Sequence, residues 1–549
     1  MSSALRGADI VARSLERLGH TTIFTLSGNH IMSIFDAAIE ARLELIHTRH
    51  EAAAVHMADA WGRLTGEPGI AMVTGGPGHA NAVGALFTAL SAESPMVLLS
   101  GHAATWELGR GGFQEIRQAD MAEPVSKASW TAQSAETLGE ELGEALRIAK
   151  SGRPGPVHLS LPSDLLDATV EANAIRWPDL KAVSETTEVP LATGAADAIL
   201  AIVAAARRPV VLAGPHLSSR KGRDLLKRLE QVTGAPAAVI ESPRGANDAT
   251  LGAFAEVVKS ADLVVLLGKA LDFTIKWATP PAFAEGVKLI SIDPDGALVA
   301  RAAEEKGASL AFGCVADTFP AGETLIARAV ASGRKPDLGW LTEARRLMDG
   351  RPEAWADLKG TTPRRLHAAQ VFRALRPIVE RDPETLLICD GGEFAQWGQS
   401  LLPVNRRLIN SVAGSIGASL PFAIAGRVHE RKAPVIAVLG DGTFGFHMSE
   451  FETAVRHGTP FVAILGNDAC WNAESQIQKR DYGADRMHGC GLLPSRYDQV
   501  VAALGGHGEL VEQIEDLVPA VERALASGKP ACVNVQVESI AAPVVRKSA

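Results

Sequence analysis

Short apolar runs rich in valine and isoleucine recur along this chain, and glycine or proline bounds most of them. Stretches with helical periodicity separate the runs, which is the pattern of buried parallel strands connected by helices. The runs fall into three groups, so we predict an α/β protein with three doubly wound parallel-sheet domains. The clearest predicted strands cover residues 21–26, 69–74, 95–100 and 156–161, then 209–213, 263–267 and 288–292, and finally 385–389, 435–439, 461–465 and 531–537.

A length of 549 residues is too great for one hydrophobic core and suits several domains of ordinary size. Residues 171–190 and 332–362 are mixed in charge and poor in apolar periodicity, which is typical of linkers. We therefore predict an N-terminal domain over residues 1–170, a central domain over 190–335 and a C-terminal domain over 362–540.

Composition argues against several classes of function. The formal net charge of −9 is spread along the chain without a basic stripe, so we expect no nucleic-acid partner. No apolar stretch approaches twenty residues, and the N-terminus resembles an amphipathic helix, so we expect no membrane partner and a cytoplasmic location. The five cysteines form no C-x-x-C pair that would indicate zinc or a disulfide framework. A small-molecule substrate is the remaining expectation.

Residues 440–468 hold the most informative motif, a Gly-Asp-Gly turn after one predicted strand and an Asn-Asp pair after the next. Apolar residues at helical spacing between the two strands predict a βαβ unit. The carboxyl ends of both strands then open on the same side of the sheet, where Asp441 and Asp468 can meet. Glycine N–H groups can approach a phosphate, and Mg²⁺ prefers oxygen ligands, so the motif predicts a diphosphate anchored through Mg²⁺. The alternative is an ordinary βαβ unit with glycine-rich turns.

This motif resembles the diphosphate-anchoring signature of thiamine-diphosphate (ThDP) enzymes, in which Gly-Asp-Gly is followed after about two dozen residues by Asn-Asn. Asp468 replaces the second Asn here. The resemblance implies ThDP and Mg²⁺ as cofactors. It assigns the metal to Asp441, Asp468 and the backbone carbonyl of Cys470, and the diphosphate to a turn comprising Gly440, Gly442 and Thr443.

A second motif, RHEAAAVHMADAWGR over residues 49–63, joins a predicted strand to a helix. From the residues alone, Glu51 is a carboxylate that stabilises the start of the helix through the helix dipole. The stretch also resembles one in the acetolactate synthase branch of ThDP enzymes, and Glu51 falls on the catalytic Glu that hydrogen-bonds N1′ of the aminopyrimidine. In that family the pyrimidine-binding and diphosphate-binding domains meet across a subunit interface. The resemblance therefore implies a homodimer or homotetramer.

Further glycine-rich turns match the same family, although ordinary turn chemistry also explains each of them. The resemblance makes Ile416 the bulky apolar residue beneath the cofactor and gives the 4′-amino group to the carbonyl of Gly414. The remaining cofactor-binding residues that it implies are Gly78, Gly392 and Glu393.

Four side chains are candidates for the groups that face the substrate. Asn29 and His30 occupy a strand-end loop, and the match to the benzaldehyde lyase branch places His30 on an active-site His, whereas a lone loop His is usually structural. Gln114 matches an active-site Gln that could steady a developing alkoxide. Glu474 stands where decarboxylases of the superfamily have a catalytic Glu, but an exposed helix-face carboxylate is an equal alternative.

The prediction of which reaction is catalysed rests on positions where this sequence differs from particular branches of the family. Residues 475–478 read Ser-Gln-Ile-Gln, where acetolactate synthases have Arg-Gln-Trp-Gln, and the central segment lacks the Gly-Met-His-Gly of FAD-containing relatives. Residues 491–508 resemble 2-hydroxyacyl-CoA lyases and oxalyl-CoA decarboxylases. The resemblance thus implies a lyase that cleaves a 2-hydroxyacyl-CoA to formyl-CoA and an aldehyde or ketone. The alternative is a benzaldehyde-lyase-like or acetolactate-synthase-like carboligase acting on free aldehydes or 2-keto acids.

Basic residues near the C-terminal segment are candidate contacts for the phosphates of an acyl-CoA, although exposed solvated charges explain them equally well. They are Arg406, Arg407, Arg546 and Lys547.

Overall fold

A computed structural model describes residues 4–185 and 188–546 of the chain. The N-terminal part forms a six-stranded parallel sheet in the order β3-β2-β4-β5-β7-β6, and the short strands β1 and β8 pair separately in antiparallel fashion. Its elements are β1 (Ala4–Arg6), α1 (Gly7–Arg17), β2 (Thr22–Thr25), α2 (Met32–Glu40), β3 (Glu44–His47), α3 (Glu51–Thr65), β4 (Gly69–Val73), α4 (Pro77–Ser91), β5 (Met96–His102), α5 (Gln118–Ala122), β6 (Ala128–Thr131), α6 (Leu138–Lys150), β7 (Pro156–Pro162), α7 (Ser163–Asp167), β8 (Thr169–Glu171) and α8 (Leu180–Ser184).

The central part forms a five-stranded parallel sheet in the order β10-β9-β11-β12-β13. Its elements are α9 (Thr193–Ala205), β9 (Pro209–Ala213), α10 (Arg220–Thr233), β10 (Ala237–Val239), α11 (Phe254–Lys259), β11 (Leu263–Leu267), β12 (Lys288–Asp293), α12 (Gly296–Lys306), β13 (Leu310–Val315), α13 (Thr318–Ala331) and α14 (Gly339–Asp349).

The C-terminal part forms a second six-stranded parallel sheet in the order β15-β14-β16-β17-β19-β18. Its elements are α15 (Ala368–Glu380), β14 (Leu386–Asp390), α16 (Gly392–Leu401), β15 (Arg406–Ile409), α17 (Ser419–His429), β16 (Val435–Gly440), α18 (Asp441–His447), α19 (Glu450–Arg456), β17 (Val462–Asn467), α20 (Asn472–Asp481), α21 (Tyr497–Ala503), β18 (His507–Val511), α22 (Ile514–Ala526) and β19 (Ala531–Gln536).

The prediction of three parallel α/β units is confirmed. The two six-stranded sheets have the same order when their strands are numbered along the chain, namely second, first, third, fourth, sixth and fifth. The central sheet follows the same order without a sixth strand. In each sheet the order reverses between the first and third strands, and ligands of doubly wound folds bind at this switch point.

The N-terminal and C-terminal units pack against each other through helices α3 and α17. Both helices present small side chains, including Ala54 and Ala58 on α3 and Ala423 on α17, which belong to one continuous buried cluster. Small residues let two helix backbones approach closely, so this contact fixes the position of α3 and of Glu51 at its start.

Two local expectations differ from the structure. The connection after β16 is a pair of short helices, α18 and α19, because the chain turns at Met448 and Ser449. The predicted linker over 332–362 contains the eleven-residue helix α14, whose Leu341, Ala344 and Met348 are buried. Two of these, Ala344 and Met348, belong to a buried cluster of the central unit. The domain limits at 170, 190, 335, 362 and 540 stay predictions.

No helix in the described parts of the chain is long and apolar enough to cross a membrane.

Candidate active site

A cavity of about 240 Å³ opens at the switch point of the C-terminal sheet. The chain segments that follow β14 and β16 form its floor, and helices α16 and α18 begin there. Backbone N–H groups at two helix starts face the same space, which is an arrangement suited to a diphosphate. Every predicted cofactor or metal residue of the C-terminal unit lines this cavity: Gly392, Glu393, Gly414, Ile416, Gly440, Asp441, Gly442, Thr443, Asp468 and Cys470.

Two carboxylates meet at one side of the cavity. Asp441 follows β16 and Asp468 follows β17, and these strands are paired neighbours with Gly440 opposite Gly466. Burial raises the pKa of both carboxyls, and the charge of Asp441 raises the pKa of Asp468 further. Oδ2 of Asp441 is buried without a hydrogen-bond partner among the described residues. A divalent cation fits this donor set, because it would supply the missing partner and offset the repulsion.

The glycine turns leave space that a side chain would fill. Gly391 has a φ of +52°, and a Cβ atom there would lie 2.6 Å from Thr443 Oγ1 and 2.7 Å from Ile416 Cγ2. A Cβ atom on Gly442 would lie 2.6 Å from the ring of Trp471. The two turns therefore require glycine at Gly391 and Gly442, and together they form a glycine-lined cradle. Ile416 packs against the first of these turns.

The walls of the cavity carry two further acids. Glu393 is buried in the first turn of α16 and accepts a hydrogen bond of 3.0 Å from Arg244 of the central unit. Burial raises the pKa of the Glu393 carboxyl, and Arg244 offsets part of that rise. Glu474 lies in the first turn of α20, where it is exposed and also lines the cavity. Its position fits both the catalytic hypothesis and the exposed-carboxylate alternative.

The N-terminal candidates gather around another turn, residues 74–78 at the end of β4. The ring of His30 lies 3.2 Å from Thr74 Oγ1 and stacks on Phe113. A Cβ atom on Gly78 would lie 3.4 Å from Oε1 of Glu51, and Oε2 of the same carboxylate accepts a hydrogen bond of 3.0 Å from the Asn81 side chain.

Gln114, with a φ of +57°, packs against the same turn, since a Cβ atom on Gly76 would lie 2.3 Å from the Gln114 carbonyl oxygen. Asn29 is exposed beside His30, and burial lowers the pKa of the His30 imidazole, which keeps the ring neutral near pH 7. Glu51, His30 and Gln114 therefore share one half-site, with Asn29 at its edge.

The residues of this half-site do not line the cavity of their own chain. Among the residues that the structure describes, those lining the cavity belong to the central and C-terminal units, and Glu51, His30, Asn29 and Gln114 are absent from its lining. A single chain thus carries two separate halves of the predicted constellation.

Sequence reasoning missed several residues at or beside the cavity, and three of them bear on its chemistry. Trp471 and Arg244 line it, and Asp390 ends β14 immediately before the lining residue Gly391. Asp390 could have been predicted from the sequence, because it is a polar residue at the end of a predicted strand and directly precedes the Gly391-Gly392 turn. The contact of Arg244 with Glu393 joins residues 149 positions apart, and no local pattern signals it.

The basic residues proposed as contacts for CoA phosphates fit neither of the two explanations considered from the sequence, which were phosphate contacts and exposed solvated charges. Arg407 and Arg406 are both mostly buried, and they are bound to Glu241 and Glu430 respectively. Neither is a free cation or an exposed solvated charge. Arg546 lies at the end of the described chain, and Lys547 lies outside the described residues.

A glycine-lined diphosphate cradle and a carboxylate pair, at the switch point of a doubly wound sheet, define a diphosphate-binding enzyme. Residues 5–121 match the thiamine pyrophosphate enzyme N-terminal TPP binding domain, and residues 390–535 match the C-terminal TPP binding domain. The acetolactate synthase large subunit of Mycobacterium tuberculosis is 33% identical over 99% of this chain and 98% of its own length.

A protein named 2-hydroxyacyl-CoA lyase 2 from Danio rerio is 30% identical over 97% of this chain and 92% of its own length. The human protein of that name is 28% identical over 97% and 90%. The chain belongs to the thiamine pyrophosphate enzyme family and is a ThDP-dependent lyase or carboligase.

Proposed function

We propose that this enzyme cleaves 2-hydroxyacyl-CoA thioesters to formyl-CoA and an aldehyde or ketone, and catalyses the reverse condensation. The observation that carries the proposal is the cavity in which Asp441, with its unpartnered oxygen, faces Asp468 between two glycine turns. The choice of substrate is supported by the 2-hydroxyacyl-CoA lyase 2 relatives and by the resemblance of residues 491–508. It is supported further by Ile477, which stands where acetolactate synthases have Trp.

The cavity residues divide the binding task. Asp441, Asp468 and the Cys470 carbonyl would hold Mg²⁺, and the turns at Gly392 and Gly440 would hold the diphosphate. Thr443, Gly442 and Glu393 line the same wall, and Ile416 and Gly414 would support and orient the two rings. When bound, ThDP supplies the reactive carbon and the electron sink for breaking the bond between C1 and C2 of the substrate.

The N-terminal half-site supplies the proton-handling groups. Glu51 would donate a hydrogen bond to the aminopyrimidine and hold the proton that moves between the carboxyl and the ring. His30, kept neutral by burial, and the amide of Gln114 would donate hydrogen bonds to the substrate oxygen where negative charge develops. Glu474 and Asn29 stand at the two edges of this space as further polar contacts.

A second copy of the chain would bring the two half-sites together, so we propose a homodimer, or a homotetramer built from such dimers. Large apolar side chains are exposed beside both halves. Phe113, which is 64% exposed, and Trp106 lie next to the N-terminal half-site, and Phe446 lies next to the cavity. Burying such side chains in an interface is favourable, and one interface would complete two equivalent sites.

The direct test supplies purified protein with ThDP, Mg²⁺ and a 2-hydroxyacyl-CoA, and measures formyl-CoA. We expect formyl-CoA to form, and we expect Glu51→Gln to lower the rate by about a hundredfold or more while ThDP still binds. Glu44→Gln, which changes an exposed carboxylate on β3, is the matched control and should leave the rate unchanged.

The second candidate is a carboligase acting on free aldehydes or 2-keto acids, favoured by the 33% identity to an acetolactate synthase. Parallel incubations with benzoin and with pyruvate separate the two. If benzoin is cleaved or acetolactate accumulates and no formyl-CoA appears, the CoA substrate is wrong and the carboligase is correct.

A further inference from the structure

The backbone of Gly417 is held by buried side chains on both sides of its Cα atom, through the peptide unit before it and the peptide unit after it. This residue ends the turn that carries Ile416 and has a φ of +102°. Its N–H donates a hydrogen bond of 2.9 Å to Asp390 Oδ2, and its carbonyl accepts one of 2.7 Å from His447 Nδ1. The φ of +102° and the 2.9 Å that would separate a Cβ atom from the ring of Phe446 both favour glycine at this position.

Asp390 supplies the rigid side of this arrangement. It ends β14, is 1% exposed and also accepts a hydrogen bond of 3.0 Å from the Ser419 N–H at the start of α17. Burial raises the pKa of the Asp390 carboxyl to about 6, and the N–H groups of Ser419 and Gly417 limit that rise. One carboxylate oxygen thus ties the turn to both strand β14 and the start of α17.

His447 supplies the other side from the end of α18, the helix that begins at Asp441. A carbonyl oxygen only accepts, so Nδ1 carries the proton in this contact. Burial lowers the pKa of the imidazole to about 4, and the ring is neutral near pH 7. The rings of His50 and His56 contact it edge-on, with centroids 5.8 and 5.7 Å away.

We propose that His447 and Asp390 are positioning residues that set the height of Ile416 beneath the two rings of ThDP. The inference rests on the proposed function in one respect, namely that Ile416 supports the cofactor. Because the peptide units on both sides of the Gly417 Cα atom are hydrogen-bonded to buried side chains, the adjacent Ile416 backbone has little freedom to move. Displacements of the order of 1 Å near reacting groups cost roughly a hundredfold in rate, so such a restraint has a measurable effect.

The test measures two properties of the ThDP-loaded protein other than turnover: the dissociation constant of ThDP, and the rate of hydrogen–deuterium exchange at its C2 atom. We expect His447→Phe to slow the exchange about tenfold, because the ring is kept but the donor is lost. The dissociation constant should change less than about threefold, since the diphosphate contacts remain. His447→Gln retains an N–H donor and should recover most of the exchange rate.

A double-mutant cycle with Ile416→Ala shows whether His447 affects the exchange rate through Ile416. If His447 acts through Ile416, the double variant exchanges no more slowly than Ile416→Ala alone. His56→Phe is the matched control, because His56 is equally buried and touches His447 but makes no hydrogen bond to the turn. Its exchange rate should stay within about twofold of the original protein.

Additive effects in the cycle, or an unchanged exchange rate in His447→Phe, would overturn the inference. If His447→Phe does not fold, His447→Leu takes its place in the same comparison. The exchange assay needs no CoA substrate, so absence of formyl-CoA with normal exchange would reject the proposed substrate and leave the positioning role standing.

Discussion

At the residue scale, the most distinctive feature is the aspartate at 468 where the signature of ThDP enzymes has asparagine. It places a second carboxylate beside Asp441 in a partly buried cavity, and burial together with the charge of Asp441 raises its pKa. Two carboxylates make the site more dependent on a cation than an asparagine–aspartate pair, because like charges in low dielectric repel strongly.

Asp468→Asn should therefore stabilise the metal-free protein and reduce the additional thermal stability that Mg²⁺ binding provides. We expect the thermal midpoint in EDTA to rise by about 2 °C or more, and the further rise on adding MgCl₂ to be smaller than in the original protein. Asp485→Asn, at an exposed position on the surface, serves as the control with no effect. A lower midpoint in EDTA for Asp468→Asn would contradict the repulsion argument.

At the element scale, function follows from where strands end. The turns after β14 and β16 form the cofactor cavity, and the turn after β4 with the loop after β2 forms the other half-site. A buried cluster of ion pairs also connects the central unit to the C-terminal unit. Glu241 follows β10 and binds Arg223 of α10 at 2.7 Å and Arg407 of β15 at 2.5 Å, so it joins the central and C-terminal units.

Glu241 also predicts a pH dependence of stability. Burial alone would raise the pKa of this carboxyl, but Arg407 and Arg223 outweigh it and lower the pKa to about 2, from an ordinary value of 4.5. The pKa of Glu241 is lower in the folded protein than in the unfolded chain. The ionised carboxylate therefore stabilises the folded protein fully above about pH 4.5, and this stabilisation is lost as the pH falls towards 2.

We expect Glu241→Gln to lower the free energy of unfolding by about 3 kcal/mol at pH 7, since it leaves two arginines without their buried partner. In urea titrations the difference from the original protein should narrow between pH 5 and pH 3. Glu323→Gln breaks an exposed pair with Arg228 and should cost no more than about 0.5 kcal/mol. A difference that is constant across this pH range would refute the assignment.

At the scale of the whole molecule, one chain carries a cofactor cavity and a second half-site whose residues do not line that cavity. The packing of α3 against α17 fixes Glu51 on the same chain at a place from which it does not line the cavity. The proposed dimer resolves this arrangement by pairing each half-site with the complementary half of a second chain.

Mixing two inactive variants tests the shared site. When Glu51→Gln and Asp441→Ala chains are unfolded and refolded together in equal amounts, about a quarter of the original activity should return, because half the dimers are mixed and each has one intact site. Mixing Glu51→Gln with His30→Ala chains should restore none, since both changes affect the same half. No recovery in the first mixture would place Glu51 and Asp441 in the same chain's site.

The sequence by itself determined the elements and the kinds of residue at their ends. Apolar runs and helical spacing are local properties, so the three parallel sheets could be predicted, and so could the meeting of Asp441 with Asp468 at adjacent strand ends. Helix α14 was missed, because its three buried residues form a face only when the central core is present to cover it.

Only the tertiary structure decided which distant groups meet. The burial of Arg407 against Glu241 and the holding of Gly417 between Asp390 and His447 join residues far apart in sequence. The separation of Glu51 from the cavity likewise depends on how two whole units pack. Such contacts follow from the arrangement of complete helices and sheets in space, and no local periodicity encodes them.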